Sequence, residues 1–168
     1  MSSSSSSSPT TGDIDEKLRQ LGLELPPTPK AAANYQPCQR AGDLLYLAGH
    51  LPLQNDGSLL HAGKLGADKT VEEGYEAARQ VALNLLSTIR NEVDGDWDQV
   101  VQIVKLFGIV QSADDFHQQH LVLNGASDLF GQVFGPERGR HSRSAIGTNT
   151  LPLGTCVEIE AIVQVKAK

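Results

Sequence analysis

Near the carboxyl end of the chain, Arg143, Glu158 and Glu160 sit in the stretch GRHSRSAIGTNTLPLGTCVEIEAIVQV, Gly139–Val165, which otherwise alternates like a β-hairpin. An arginine can hold a carboxylate in a two-point fork, and a glutamate beside it can accept a proton or orient a water. The plainer alternative is a cross-strand ion pair, contributing about 0–1 kcal/mol if exposed. Pairing decides which residues share a face. With Leu151–Gly154 as the connecting loop, Gly147 falls opposite Glu158 and Ala145 opposite Glu160. That register predicts Arg143 and both glutamates on one face, turned away from the apolar set Val157, Ile159, Ala161 and Val163. A slip of one residue would reverse the conclusion.

The elements that must position these residues are legible in the pattern. Ile14, Leu18 and Leu21 are spaced as on a short helix ending at Gly22, and PPTPK follows as an extended linker. Two strands are predicted at Tyr35–Arg40 and Leu44–Leu51, the second apolar enough to be covered on both faces; SLLHAG is expected to add a short third. The helix over Thr70 to Asn91 carries a capping box at Thr70 and Glu73, then an apolar stripe through Val71, Tyr75, Ala78, Ala82, Leu85 and Ile89. DQVVQIVKLFGIVQ reads as a long strand, rich in β-branched residues. A second helix is predicted from Ser112, capped with Asp115, interrupted at Asn124–Gly125 and running on to Gly135. The order is ββ(β)αβαββ, an α+β layer with helices on one sheet face.

At 168 residues the chain is long enough for one domain with a real core. The expected division is a disordered serine-rich tail over residues 1–12, a short helix and proline linker over 13–30, and the domain proper over 31–168. Fourteen Lys and Arg against 20 Asp and Glu give a net charge of −6, which speaks against a polyanion as the main partner. No apolar run is long enough for a membrane span, the amino terminus lacks the apolar centre of a secretory signal, and two distant cysteines suit a reduced, cytoplasmic setting. Cys156 is expected to be buried without chemistry, and His50 to be structural. His141 is expected to be exposed at a turn, and His61, His117 and His120 to lack a carboxylate partner at metal-ligand spacing.

Three segments together are similar to one family. RSAIGTNTLPLGTCVEIEAI resembles the R-S…L-P…V-E-I-E-A signature of the YjgF/RidA group, also labelled endoribonuclease L-PSP; LYLAGHLP resembles its second-strand S-G-Q-x-P segment, and NYQPCQRAGDLLYLAG its P-Y-S-Q stretch. The TVEEG and NGASDLF segments resemble a divergent branch of that group. The resemblance implies a chorismate-mutase-like fold, a homotrimer with clefts between subunits, and no metal or organic cofactor. It implies hydrolysis of enamine and imine products such as 2-aminoacrylate to 2-keto acids and ammonia. By position, Arg143 would grip the substrate carboxylate and Glu158 would handle the water, with Tyr35, Gly49, Asn124 and Ala145 lining the pocket. Two positions depart from the pattern: Ala145 stands for the common cysteine, and Ala48 for the serine before Gly49. A non-catalytic binder of small carboxylates and an RNA-cleaving translation inhibitor remain as alternatives, the second disfavoured by the net charge.

Overall fold

The computed structural model describes residues 11–28 and 33–167. The tail expected over residues 1–12 lies outside them as far as residue 10, as does the linker's far part, 29–32. The first helix, α1 (Thr11–Gln20), lays Ile14 and Leu18 into the main core. Two ties fix its path. Asp15 accepts from the Trp97 indole at 3.0 Å, and the Ser87 hydroxyl donates to the Pro26 carbonyl at 2.7 Å.

Strands β1 (Cys38–Ala41), β2 (Leu44–His50), β3 (Val100–Gln111), β4 (Ser142–Thr148) and β5 (Val157–Val165) form one five-stranded sheet in the order β1-β2-β5-β3-β4. Helix α2 (Val71–Glu92) begins as its pattern predicts. The Thr70 hydroxyl accepts from the Glu73 amide, and Glu73 accepts from the Thr70 amide. With the one-turn α3 (Gln119–Val122) and α4 (Asn124–Arg138), it covers one face of the sheet. Val81, Leu85, Leu129, Phe130, Leu106 and Ile159 are all buried where these layers meet.

Four expectations change. The region around SLLHAG contributes only an isolated bridge, Leu53 to Leu59, not a strand. Strand β2 is covered on one face only: Leu45 and Leu47 are buried, while Tyr46 is 46% exposed on the other. Ser112 caps no helix, because its backbone prolongs the sheet: its amide donates to Thr148 at 3.0 Å and it bridges Leu65. The helices begin at Gln119, and Asn124 and Gly125 open α4 instead of interrupting a longer one.

The fourth change is decisive for the site. Strands β4 and β5 are not a hairpin. β4 pairs parallel with β3, Leu106 beside Arg143 and Val110 beside Gly147, while β5 pairs antiparallel with the other edge of β3. Parallel pairing needs a long crossover, and the α3–α4 segment supplies it. The LPLG segment then crosses the end of β3 instead of turning a hairpin. Gln111 pins that crossing: its side-chain oxygen accepts from the Leu151 backbone amide at 2.7 Å, and its backbone amide donates to the Cys156 carbonyl at 2.9 Å.

Candidate functional site

The pairing puts Arg143 beside Leu106, and Leu106 beside Ala161, so all three point to the helix side. Glu158 lies beside Ile109 and Glu160 beside Phe107, on the open side. The expected shared face is therefore corrected: Arg143 and the two glutamates lie on opposite faces, separated by β3. The one-residue parity reversal follows from β4 choosing β3 as its neighbour.

The structure builds two clusters from the candidate residues. In the first, Arg143 donates through Nη2 to Asn124 Oδ1 and to the His120 carbonyl, both at 2.8 Å, and through Nη1 to Ser127 Oγ at 2.9 Å. Asn124 opens α4 and Ser127 follows one turn later, so both face the arginine. Ala145 lies on the same side of β4, its methyl packed on the core. Asn124, Ser127, Asp128, Arg140, His141 and Arg143 line a hollow of about 620 Å³. All three oxygens that hold the guanidinium are neutral, and among the described residues no carboxylate comes within ion-pair distance of it. The arrangement fixes a half-buried cation and leaves its charge for an anion to balance.

The second cluster lies on the open face. Gly49 sits in the irregularity of β2 between Leu47 and His50, and a Cβ there would overlap the Glu158 carboxylate. Glu158 is half-buried; burial, and then the charge of Glu160, raise its carboxyl above the ordinary carboxylate value. A raised proton affinity suits a group that must take a proton from water near neutral pH. Tyr35 is 46% exposed on the segment entering β1, and its neighbour Gln36 lines a hollow of about 390 Å³ with Tyr46, Lys105, Phe107, Glu160 and Ile162.

Residues 15–164 match the family described as "YjgF/chorismate_mutase-like, putative endoribonuclease". The chain belongs to the YjgF/chorismate-mutase-like family. Protein TCP17 of Trypanosoma cruzi is 42% identical over 154 residues, 92% of this chain and 95% of that protein. The crystal structure of Atu1372 from Agrobacterium tumefaciens, a protein of unknown function, is 39% identical with a TM-score of 0.85, covering 93% of this chain and 96% of the other. A "putative endoribonuclease" of Shewanella oneidensis reaches the same TM-score of 0.85 at 34% identity, over 90% of this chain and 99% of its own. The α+β, chorismate-mutase-like architecture of this YjgF-family chain is thereby shown.

Sequence reasoning missed Ser127, although its spacing from Asn124 in the NGASDLF segment places both on one helix face. It also placed His141 in solvent. The imidazole is half-buried, 2.9 Å from Ser127 Oγ and 2.8 Å from the Gly139 carbonyl. His61 does find carboxylates, Glu76 at 2.8 Å and Glu73 at 3.5 Å, yet no group among the described residues could hold a metal ion. His50 is buried and bonded to the Ala48 carbonyl and the Thr88 hydroxyl, a structural role. Both thiols are free; burial pushes Cys156 up to about 11 and, with the Glu92 charge, Cys38 up to about 12. Among the described residues no helix is long and apolar enough to cross a membrane.

Proposed function

We propose that this chain hydrolyses 2-imino acids, formed from enamines of the 2-aminoacrylate type, to 2-keto acids and ammonia. The observation that carries the reading is the Arg143 guanidinium, half-buried and held by three neutral oxygens, with no carboxylate among the described residues to balance it. A small 2-imino acid supplies that carboxylate and presents its C=N carbon a fixed distance away. Glu158 takes a proton from water as the water oxygen bonds to that carbon. The imine nitrogen takes that proton, completing the carbinolamine; its hydroxyl then gives a proton to Glu158 as the C=O bond forms and the C–N bond breaks, and the carboxyl passes that proton to the nitrogen, which leaves as ammonia. Water is the only co-reactant, and the two clusters divide anchoring from proton transfer.

Because the clusters lie on opposite faces of one chain, the reading requires two copies at each site. Arg143, Asn124 and Ala145 come from one copy, and Gly49, Tyr35 and Glu158 from the next. The trimer typical of the family is the assembly proposed. Its support in this chain is the open sheet face, where Tyr46 and Ile146 are each 46% exposed with no helix over them. A cytoplasmic site of action accords with two free cysteines.

A second reading, a carboxylate binder without turnover, draws on Ala145. Its methyl packs on the core at the position where the resembled pattern has a cysteine. One experiment separates the two. Ammonia and keto-acid release from 2-aminoacrylate, generated in situ by a dehydratase, is compared with the spontaneous rate for wild type, Arg143→Ala and Glu158→Gln. Acceleration lost in both variants supports hydrolysis. Wild-type rates no faster than the uncatalysed reaction across a panel of 2-imino acids would leave only the binder.

A further inference from the structure

The hydrogen bonds around Arg143 run in one direction, and His141 sets it. The Gly139 carbonyl, 2.8 Å from Nδ1, can only accept, so Nδ1 carries the ring proton. Burial, and the charge of Arg143 as a lesser cause, hold the imidazole below its ordinary value against the opposing pull of that carbonyl. Nε2 is then a bare acceptor 2.9 Å from Ser127 Oγ, and the hydroxyl must donate to it. With its only proton committed, Ser127 presents lone pairs to Arg143 Nη1, which donates to it at 2.9 Å. Phe130 of α4 meets the imidazole edge-on, ring centres 6.1 Å apart at 80°. The charged groups sharing the hollow are Arg143 and Arg140 on the β4 side and Asp128 on α4, the last already bonded to the Tyr75 hydroxyl at 2.9 Å.

We propose that His141 is a positioning residue of the anion anchor, acting through the Ser127 hydroxyl to hold the Arg143 guanidinium in the orientation that receives a carboxylate. The inference rests on the reading that Arg143 binds the substrate carboxylate. If Ser127 lost its acceptor, its proton would be free to turn toward the guanidinium, and one of the three neutral contacts that orient the arginine would be lost.

Two substitutions divide the roles of His141. His141→Phe keeps a ring against Phe130 but offers no acceptor; His141→Gln offers a side-chain carbonyl but no ring. The probe is pyruvate, the smallest keto acid of the proposed product class, titrated calorimetrically into the full chain, with thermal unfolding followed in parallel. His141→Phe is expected to weaken pyruvate binding about tenfold, the effect of one net hydrogen bond, and His141→Gln to recover most of it. In a Ser127→Ala background the difference between the two should vanish, since the relay passes through that hydroxyl. Wild-type affinity in His141→Phe, or a His141→Gln protein as weak as His141→Phe, would overturn the proposal. Should His141→Phe fail to fold, the His141→Gln and Ser127→Ala pair decides: strong binding in the first and weak in the second is expected, and the converse overturns it. Arg143→Ala separates the two layers of argument: undiminished pyruvate binding there would refute the carboxylate anchor itself, not the relay alone.

Discussion

Gly49 and Glu158 are in such close register that the glycine's missing side chain is the space the carboxylate occupies. A Cβ built at Gly49 falls on the Glu158 Oε1 atom, and its backbone is not in the left-handed region that would require glycine. Alanine is therefore conformationally acceptable there and sterically specific in its effect. Gly49→Ala is expected to push the flexible end of Glu158 aside, with little change in unfolding temperature. Turnover should fall by about 100-fold, the lower part of the range for a displaced general base. Pyruvate affinity, carried by the other cluster, should stay within about twofold. Steady-state rates beside calorimetry check this, and equal losses in both would contradict the division of labour.

Glu158 and Glu160 point to the same open face, and the charge of the second adds to burial in raising the first. Glu160→Gln should lower the Glu158 carboxyl toward its ordinary value, so the acid limb of kcat/KM moves to lower pH. Stability carries the same information with a definite sign. A carboxyl raised by folding binds more protons in the native state, so its contribution is full below the unfolded value and is lost as pH rises through the folded one. Glu158→Gln should accordingly flatten the decline in stability of the wild type above the ordinary carboxylate range. Denaturant unfolding at several pH values would show a steeper decline in the variant if the sign were wrong.

The sequence exposed local structure well and strand pairing poorly, for a physical reason. The Thr70–Glu73 box and the stripe behind it depend on neighbours within two turns, and α2 starts where they predict. Strand partners depend on what lies far along the chain. Arg143 and Glu158 look like two arms of one hairpin because only a short loop parts them, yet β3 lies between. Gln111, which pins that loop across the end of β3, gives no local sign of doing so. Asn124 and Arg143 were both candidates, and the structure bonds them directly. What joins them to His141 is Ser127, detectable only by asking which residue lies one helical turn beyond Asn124.

Arg143 is a fork held at three points, and lysine cannot reproduce that geometry. Arg143→Lys should raise KM for a 2-imino acid by about 10- to 100-fold, as loss of hydrogen bonds to a charged group implies, with a smaller effect on kcat. Of its released partners, Asn124 and Ser127 line the open hollow and His120 is exposed, so water can reach them and the folded state should lose little. A variant with unchanged KM but reduced unfolding temperature would make the arginine a structural tie.

Gly125 connects the fold to the site. A Cβ there would run into the Tyr75 carbonyl and crowd the Arg79 amide, both main-chain groups of α2 that no rotamer can move aside. Glycine is what lets α4 approach α2 this closely, and the residue before it, Asn124, holds Arg143. Gly125→Ala should force the start of α4 outward and cost about 1–3 kcal/mol of stability, as overpacking of a tight contact does. The displacement also carries Asn124 away from the guanidinium, so pyruvate affinity should fall along with stability. Gly131 on the same helix has open space at its Cβ position, which makes Gly131→Ala the control. It should unfold no more readily than wild type, which makes it a control for stability. Chemical denaturation of the two variants side by side would refute the contact argument if Gly125→Ala were as stable as Gly131→Ala.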